Sequence, residues 1–105
     1  MYDIMSEDKK NALKLFSNYN VAKQKTREYL GDDVKLLISP RKDKKYRVYD
    51  PNGKAVDFGQ MGFQDHTRHQ DEKRRENYLR RATNIKGNWK NNPYSPNNLS
   101  MNILW

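Results

Sequence analysis

The tetrapeptide Asp50-Pro51-Asn52-Gly53 limits what this chain can fold into more than any other stretch. Proline presets φ at the second position of a tight turn and glycine suits the fourth. Before the turn, Tyr46 and Val48 alternate with Arg47 and Tyr49, the period of a strand with two unlike faces. After it, residues 55–58 return, so residues 45–59 read as a β-hairpin. Upstream, the run VKLLIS at residues 34–39 is apolar and partly β-branched, and Pro40 ends it. A charged turn, RKDKK, leads from this run into the hairpin. The expectation is a three-stranded antiparallel meander over residues 34–59.

Helical signals flank the meander. Ser6, followed by Glu7 and Asp8, reads as a helix start with acids near the positive end of the dipole. Ala12, Leu13, Leu15 and Phe16 form a short apolar stripe that Asn18 and Asn20 weaken. A second helical stretch covers residues 21–30, and Gly31 stands where a C-terminal cap belongs. The first 33 residues therefore read as one broken helix or two short ones. Beyond the hairpin, Gly59 and Gly62 bracket a tight turn that tolerates positive φ. A helix of about fifteen residues is expected next. Thr67 is its N-cap with Gln70 reaching back in a capping box, and Asp65 is a second candidate cap. It runs to about Ala82, and Gly87 stops any continuation. The segment NNPYSPNN is turn-rich. Ser95-Pro96 has the form of an N-cap with proline at the first helical position, and a short apolar end holding Leu99 and Ile103 closes on Trp105.

These signals predict an α+β chain: an N-terminal helix, a three-stranded antiparallel meander, an Arg-rich helix packed on it, and an irregular C-terminal segment with a short helix. With 105 residues, one domain is the default. Residues 1–33 read as a helical N-terminal arm, 34–82 as the meander-plus-helix core and 83–105 as a C-terminal segment. Hydrophobic residues make up 34% of the chain and charged residues 32%, so the core must be small and lean on its aromatics. The 21 Lys and Arg against 13 Asp and Glu leave a net charge of +8. That balance favours an anionic partner: nucleic acid, an acidic membrane face or an acidic protein surface. Cysteine is absent, which removes disulfides and thiolate metal sites. The first residues carry no apolar h-region, so no signal peptide is expected, and no membrane span is expected either.

The stretch FGQMGFQDHTRHQDEKRRENYLRRA carries the candidate sites. On a helical wheel Tyr78, Leu79 and Ala82 define one face, and Arg68, Asp71 and Arg75 continue it. Asp71 and Arg75 are spaced for an i, i+4 ion pair that would hold the helix on the sheet. His69, Lys73 and Arg80 form a second face; Arg74 and Arg81 form a third, basic and open to solvent. Glu72 and Glu76 interrupt the basic residues. His66 and His69 raise the question of a metal or acid–base pair, but the chain has no other histidine and no cysteine to complete a tetrahedral site. No nucleophile or cofactor cradle is visible, and the glycines of FGQMG lack the spacing of a phosphate loop. No catalytic residue, metal ligand, cofactor or small-molecule substrate is expected. The aromatics Phe58, Phe63, Tyr78, Trp89 and Trp105 read first as core packing.

The run KKYRVYDPNGKAVDFGQMGFQDHTRHQDEKRRENYLRRA, with Trp89 and the final Leu104-Trp105, resembles a small family of uncharacterised proteins of large double-stranded DNA viruses that infect algae and protists. Phe58, Gly59, Gly62, Phe63, Asp65, Thr67, His69, Asp71, Arg74, Tyr78, Leu79 and Arg81 carry the resemblance. It implies a viral product and assigns no catalytic role. The expectation is a virion structural protein that is not an enzyme, a minor capsid protein cementing or bridging major capsid proteins. It would reside in the virion, and in host cytoplasm or nucleus during assembly. Lys73, Arg74, Arg80 and Arg81 would be contact residues on acidic faces of capsid partners. Trp89, Tyr94 and Trp105 would lie in the same interface, the tryptophans as anchors. Gly59, Gly62, Asp65, Thr67, Asp71, Arg75 and Tyr78 would be structural. The alternative is a small basic nucleic-acid-binding protein associated with the viral genome. A genome binder should gather its basic residues on one continuous face.

Overall fold

The hairpin forms where its turn requires it. In the computed structural model, which describes residues 2–105 and side chains from Asp8 onward, β2 (Lys44–Tyr49) and β3 (Ala55–Gln60) pair antiparallel with Tyr46 opposite Phe58 and Val48 opposite Val56. The Gly53 amide donates to the Asp50 carbonyl at 2.9 Å. The Asp50 carboxylate accepts from the amides of Asn52 and Lys54, both at 2.9 Å. β1 (Leu37–Ile38) adds to the free side of β2, giving a three-stranded sheet in the order β1-β2-β3. β1 is much shorter than the expected run of residues 34–39. The reason lies in the backbone partners: the Val34 amide donates to the Gly31 carbonyl (3.4 Å), and the Tyr19 hydroxyl donates to the Leu36 carbonyl (3.2 Å). That part of the run is satisfied by the preceding helix rather than by a ladder.

Two helices precede the sheet, α1 (Tyr2–Leu13) and α2 (Tyr19–Leu30). α1 begins before the expected start at Ser6; the Ser6 side chain lies outside the described residues. The Asn18 side chain accepts from the Val21 amide and caps α2, which is why the two helices are separate. Gly31, at φ +100°, closes α2 through its amide to the Arg27 carbonyl. The ammonium of Lys9 reaches from α1 to the turn between β1 and β2. It donates to the carbonyls of Ser39, Arg41 (2.5 Å) and Lys44 (2.8 Å).

The expected single helix after the hairpin is two helices, α3 (His66–His69) and α4 (Glu72–Thr83). Gln70 stands between them in the left-handed region at φ +57°. The cap at Thr67 is therefore corrected. Thr67 is inside α3 and buried, Asp65 holds the N-cap position of α3, and Asp71 caps α4 by accepting from the amides of Lys73 (3.0 Å) and Arg74 (3.2 Å). His69 helps to stop α3, since its Nδ1 accepts from the Asp71 amide at 2.8 Å. Local side-chain bonds of this kind compete with helix continuation.

The C-terminal segment carries the expected short helix. After a 3₁₀ turn (Trp89–Asn91), α5 (Pro96–Leu99) starts at Ser95, whose hydroxyl accepts from the Asn98 amide, with Pro96 at the first position. A π turn (Ser100–Leu104) continues it and ends with the Trp105 amide donating to the Ser100 carbonyl. This segment supplies Leu99, Ile103 and Leu104, all essentially fully buried. They pack with Tyr46, Val48 and Phe58 of the sheet and with Leu13 and Ala22 of the first two helices. Residues 34–82 hold only part of the core, which is closed by apolar side chains from both flanks. α4 meets this core through the C-terminal segment: Ala82 is buried, and its carbonyl accepts from the Asn97 amide group at 3.0 Å.

Candidate functional site

The segment between β3 and α4 is held by a buried polar network. The Lys45 side chain is 3% exposed and Asp65 is 0% exposed, and their ion pair spans 3.1 Å. Lys45 also donates to the Phe63 carbonyl at 2.6 Å. Burial lowers the Lys45 pKa, opposed by the charge of Asp65 and the hydrogen bond to it. The Thr67 hydroxyl donates to the other Asp65 oxygen, accepts from the Asn18 amide (2.9 Å) and lies 3.2 Å from the Ser17 hydroxyl. The Tyr46 phenol donates to Ser17 at 2.8 Å, and burial pushes its pKa well above the usual range. Three regions distant in sequence, around residues 17, 45 and 65, are thereby locked together. Asp65 holds the N-cap position of α3 without a side-chain capping bond, and its carboxylate is taken up by Lys45 and Thr67 instead.

Gly59 and Gly62 both have positive φ, +82° and +94°. Gly59 has a second constraint: a Cβ there would stand 2.7 Å from Leu104 Cδ1 and 3.1 Å from Lys45 Cβ. The sheet thus approaches the C-terminal segment closely at this point. Residues 60–64 form a lip facing α4.

The expected Asp71–Arg75 pair is replaced. Arg75 Nε donates to the Trp105 main-chain oxygen at 2.7 Å, and a terminal nitrogen lies 3.9 Å from Glu72. Asp71 is occupied by its capping bonds. Tyr78 stacks on Trp105 with ring centres 4.2 Å apart and planes 8° from parallel. Burial raises the Tyr78 pKa, opposed by a hydrogen bond to Ser100. Of the expected interface aromatics, Trp105 forms this internal stack and is half-buried. Tyr94 packs against the core. Trp89 folds into its own loop, where Nε1 donates to the Ile85 carbonyl (2.6 Å) and the Lys90 ammonium sits 5.6 Å from the ring centre. Phe63, expected in the core, is 67% exposed. Its position after Gly62 in a polar turn was the available signal.

Lys73, Arg74, Arg80 and Arg81 are all exposed, and among the described residues none has an ion-pair partner. At about 100° per residue they span an arc of about 120° on α4, with Asn77 inside it and Glu72 and Glu76 outside it. On the same wheel Arg75 lies outside this arc, and Glu76 borders it about 40° from Arg80. Arg74, Asn77, Tyr78 and Arg81 wall a cleft of about 470 Å³. The facing lip carries Gln60, Phe63 and Gln64, and Leu104 and Trp105 contribute to the same lining. No acidic side chain lines it.

The histidines lie beside this region without forming a centre. His66 is hydrogen-bonded to Glu72 at 2.5 Å, and its ring meets His69 edge-on at 5.8 Å. His69 lies 5.1 Å from the Trp105 ring. Burial, with the nearby charges of Arg74 and His66, lowers the His69 pKa. Among the described residues no three His, Asp or Glu side chains gather to hold a metal ion. No helix among them is long and apolar enough to cross a membrane.

Residues 34–82, just under half of the chain, match the profile of a family described as a family of unknown function (DUF5754). The matched region includes the lip and nearly all of α4 but neither flank of the core. No curated protein and no solved structure matches the chain.

Proposed function

We propose that this chain is a small, non-catalytic nucleic-acid-binding protein that engages the phosphate backbone through the basic face of α4. The observation that carries the reading is the arc of Lys73, Arg74, Arg80 and Arg81, exposed and without an ion-pair partner among the described residues. A chain at +8 adds long-range attraction to a polyanion. Four neutralised phosphates would give a fall of log affinity with log salt of about three units of slope on a single strand and slightly more on duplex. The test is fluorescence anisotropy on labelled oligonucleotides across a salt series, with R74A/R81A beside the wild type. Loss of two contacts should reduce the slope by about 1.5 and weaken binding to every sequence alike. A flat salt dependence, or an unchanged slope in the variant, would overturn the reading.

A second reading has its own observation. Between α1 and β1, Leu13, Tyr19, Leu37 and Ile38 line an apolar groove of about 660 Å³, and Leu37 is 41% exposed on the sheet edge. Lys14, also lining the groove, is exposed, which suits an acidic protein face. In this reading the chain is a minor capsid protein of a large DNA virus, seated against a major capsid protein. Crosslinks from Lys14 to capsid protein in purified particles would support it. Absence of the chain from purified particles would remove it.

A further inference from the structure

We infer that the cleft between α4 and the β3–α3 lip seats an unpaired base, so that the preferred ligand is a single strand rather than a duplex. The inference rests on the nucleic-acid reading and specifies its substrate. Phe63 presents its ring to solvent, 67% exposed, and stacks on no other ring among the described residues. A large apolar ring held this far in water on the lip is a stacking platform in search of a π-face. The Phe63 carbonyl is held by the buried Lys45 ammonium, and the next side chain, Gln64, donates to the Leu15 carbonyl at 3.2 Å.

The cleft has the size for a base and part of its sugar, at about 470 Å³. Its polar walls are uncommitted. The side-chain amides of Gln60 and Asn77 make no hydrogen bond among the described residues, so both donors and acceptors are available to a base edge. Arg74 and Arg81 stand one above the other on the same wall, seven residues and about 10 Å apart. They can take the phosphates on either side of the seated nucleotide. A duplex buries its bases in the stack and offers none to this cleft, so only its backbone could reach the arginines. The acceptor-and-donor character of the amides suits any of the bases, which implies weak sequence preference.

The experiment compares a single-stranded oligonucleotide with the duplex of the same length, on wild type, F63A and R74A/R81A, with 2-aminopurine in the strand to report stacking. Phe63 is exposed, so F63A should fold as the wild type does, which circular dichroism checks. The expected result is tighter binding to the single strand, quenched 2-aminopurine, and a loss of about ten-fold or more for F63A on the single strand alone. Equal affinity for strand and duplex, with F63A unchanged on both, would overturn the base seat while leaving phosphate binding intact. No salt-dependent binding to either ligand would overturn the base seat and the nucleic-acid reading together.

Discussion

Removing the carboxylate of Asp65 should be the most damaging single change in the polar network. In Asp65→Ala the Lys45 ammonium, 3% exposed, loses the counter-ion that stood 3.1 Å away. It keeps the Phe63 carbonyl at 2.6 Å, and the more distant Phe16 carbonyl at 3.5 Å compensates little. Thr67 loses its acceptor at the same time. Breaking a buried pair from one side costs about 3–5 kcal/mol, because the remaining charge is left in a low-dielectric site. A domain of this size has about 5–15 kcal/mol in total. At about 4–8 °C per kcal/mol the melting temperature should fall by roughly 15 °C or more. Lys45→Met alone should also destabilise, leaving Asp65 with only the Thr67 hydroxyl. The pair is isolated by the double variant K45M/D65A, which carries no buried charge at this site. Urea unfolding of the four proteins, followed by circular dichroism at pH 7, gives the coupling. The double variant should be more stable than the sum of the single losses by about 2 kcal/mol or more. Costs that add to within about 0.5 kcal/mol would refute the claim that the two charges depend on each other.

Other outcomes follow from single positions. Asp71→Ala removes the α4 cap and should cost about 1 kcal/mol, whereas exposed Arg74→Ala should stay within about 0.5 kcal/mol; equal melting temperatures would contradict the capping role. Gly59→Ala should be worse than Gly62→Ala by about 1 kcal/mol or more: both glycines have positive φ, but only at Gly59 does the new Cβ meet Leu104 and Lys45. Denaturant midpoints of the two variants decide this, and equal losses would show that strain alone matters. His69 has a lowered pKa in the folded protein, so the unfolded chain takes up its proton first as pH falls. Its contribution is full above the unfolded value of about 6.5 and declines below it until the folded pKa is passed. NMR titration of the His69 ring should give a midpoint below 6.5, and a midpoint at or above it would remove the effect.

Much of the site was legible in part. Gly59, Gly62 and the arginines of α4 were visible by type, and their wheel positions already implied that Arg74 and Arg81 share a face. The break at Gln70 was harder to see. Thr67 and Gln70 have the spacing of a capping box, while Asp71 followed by Glu72 is an equally good helix start. His69 tipped the balance by accepting the Asp71 amide, and the cap moved to Asp71. Among the aromatics Phe63 departs from the core reading, being 67% exposed, while Phe58 is fully buried.

What the sequence determined by itself is local. The turn at Asp50–Gly53, the hairpin around it, the glycine at the end of α2, the Ser95-Pro96 helix start and the +8 charge each depend on a few neighbouring residues. Their physics acts within one turn of chain. Tertiary structure decided whatever required distant segments to meet. Lys45 reads as one more charge in a lysine-rich strand until residues 63–65 fold over it and bury it against Asp65. The last residues read as a short helix and an apolar end, with nothing to say that Leu99, Ile103 and Leu104 fill the space between sheet and helices. Burial is a property of the assembled chain, and no window of sequence contains both sides of a contact some tens of residues apart.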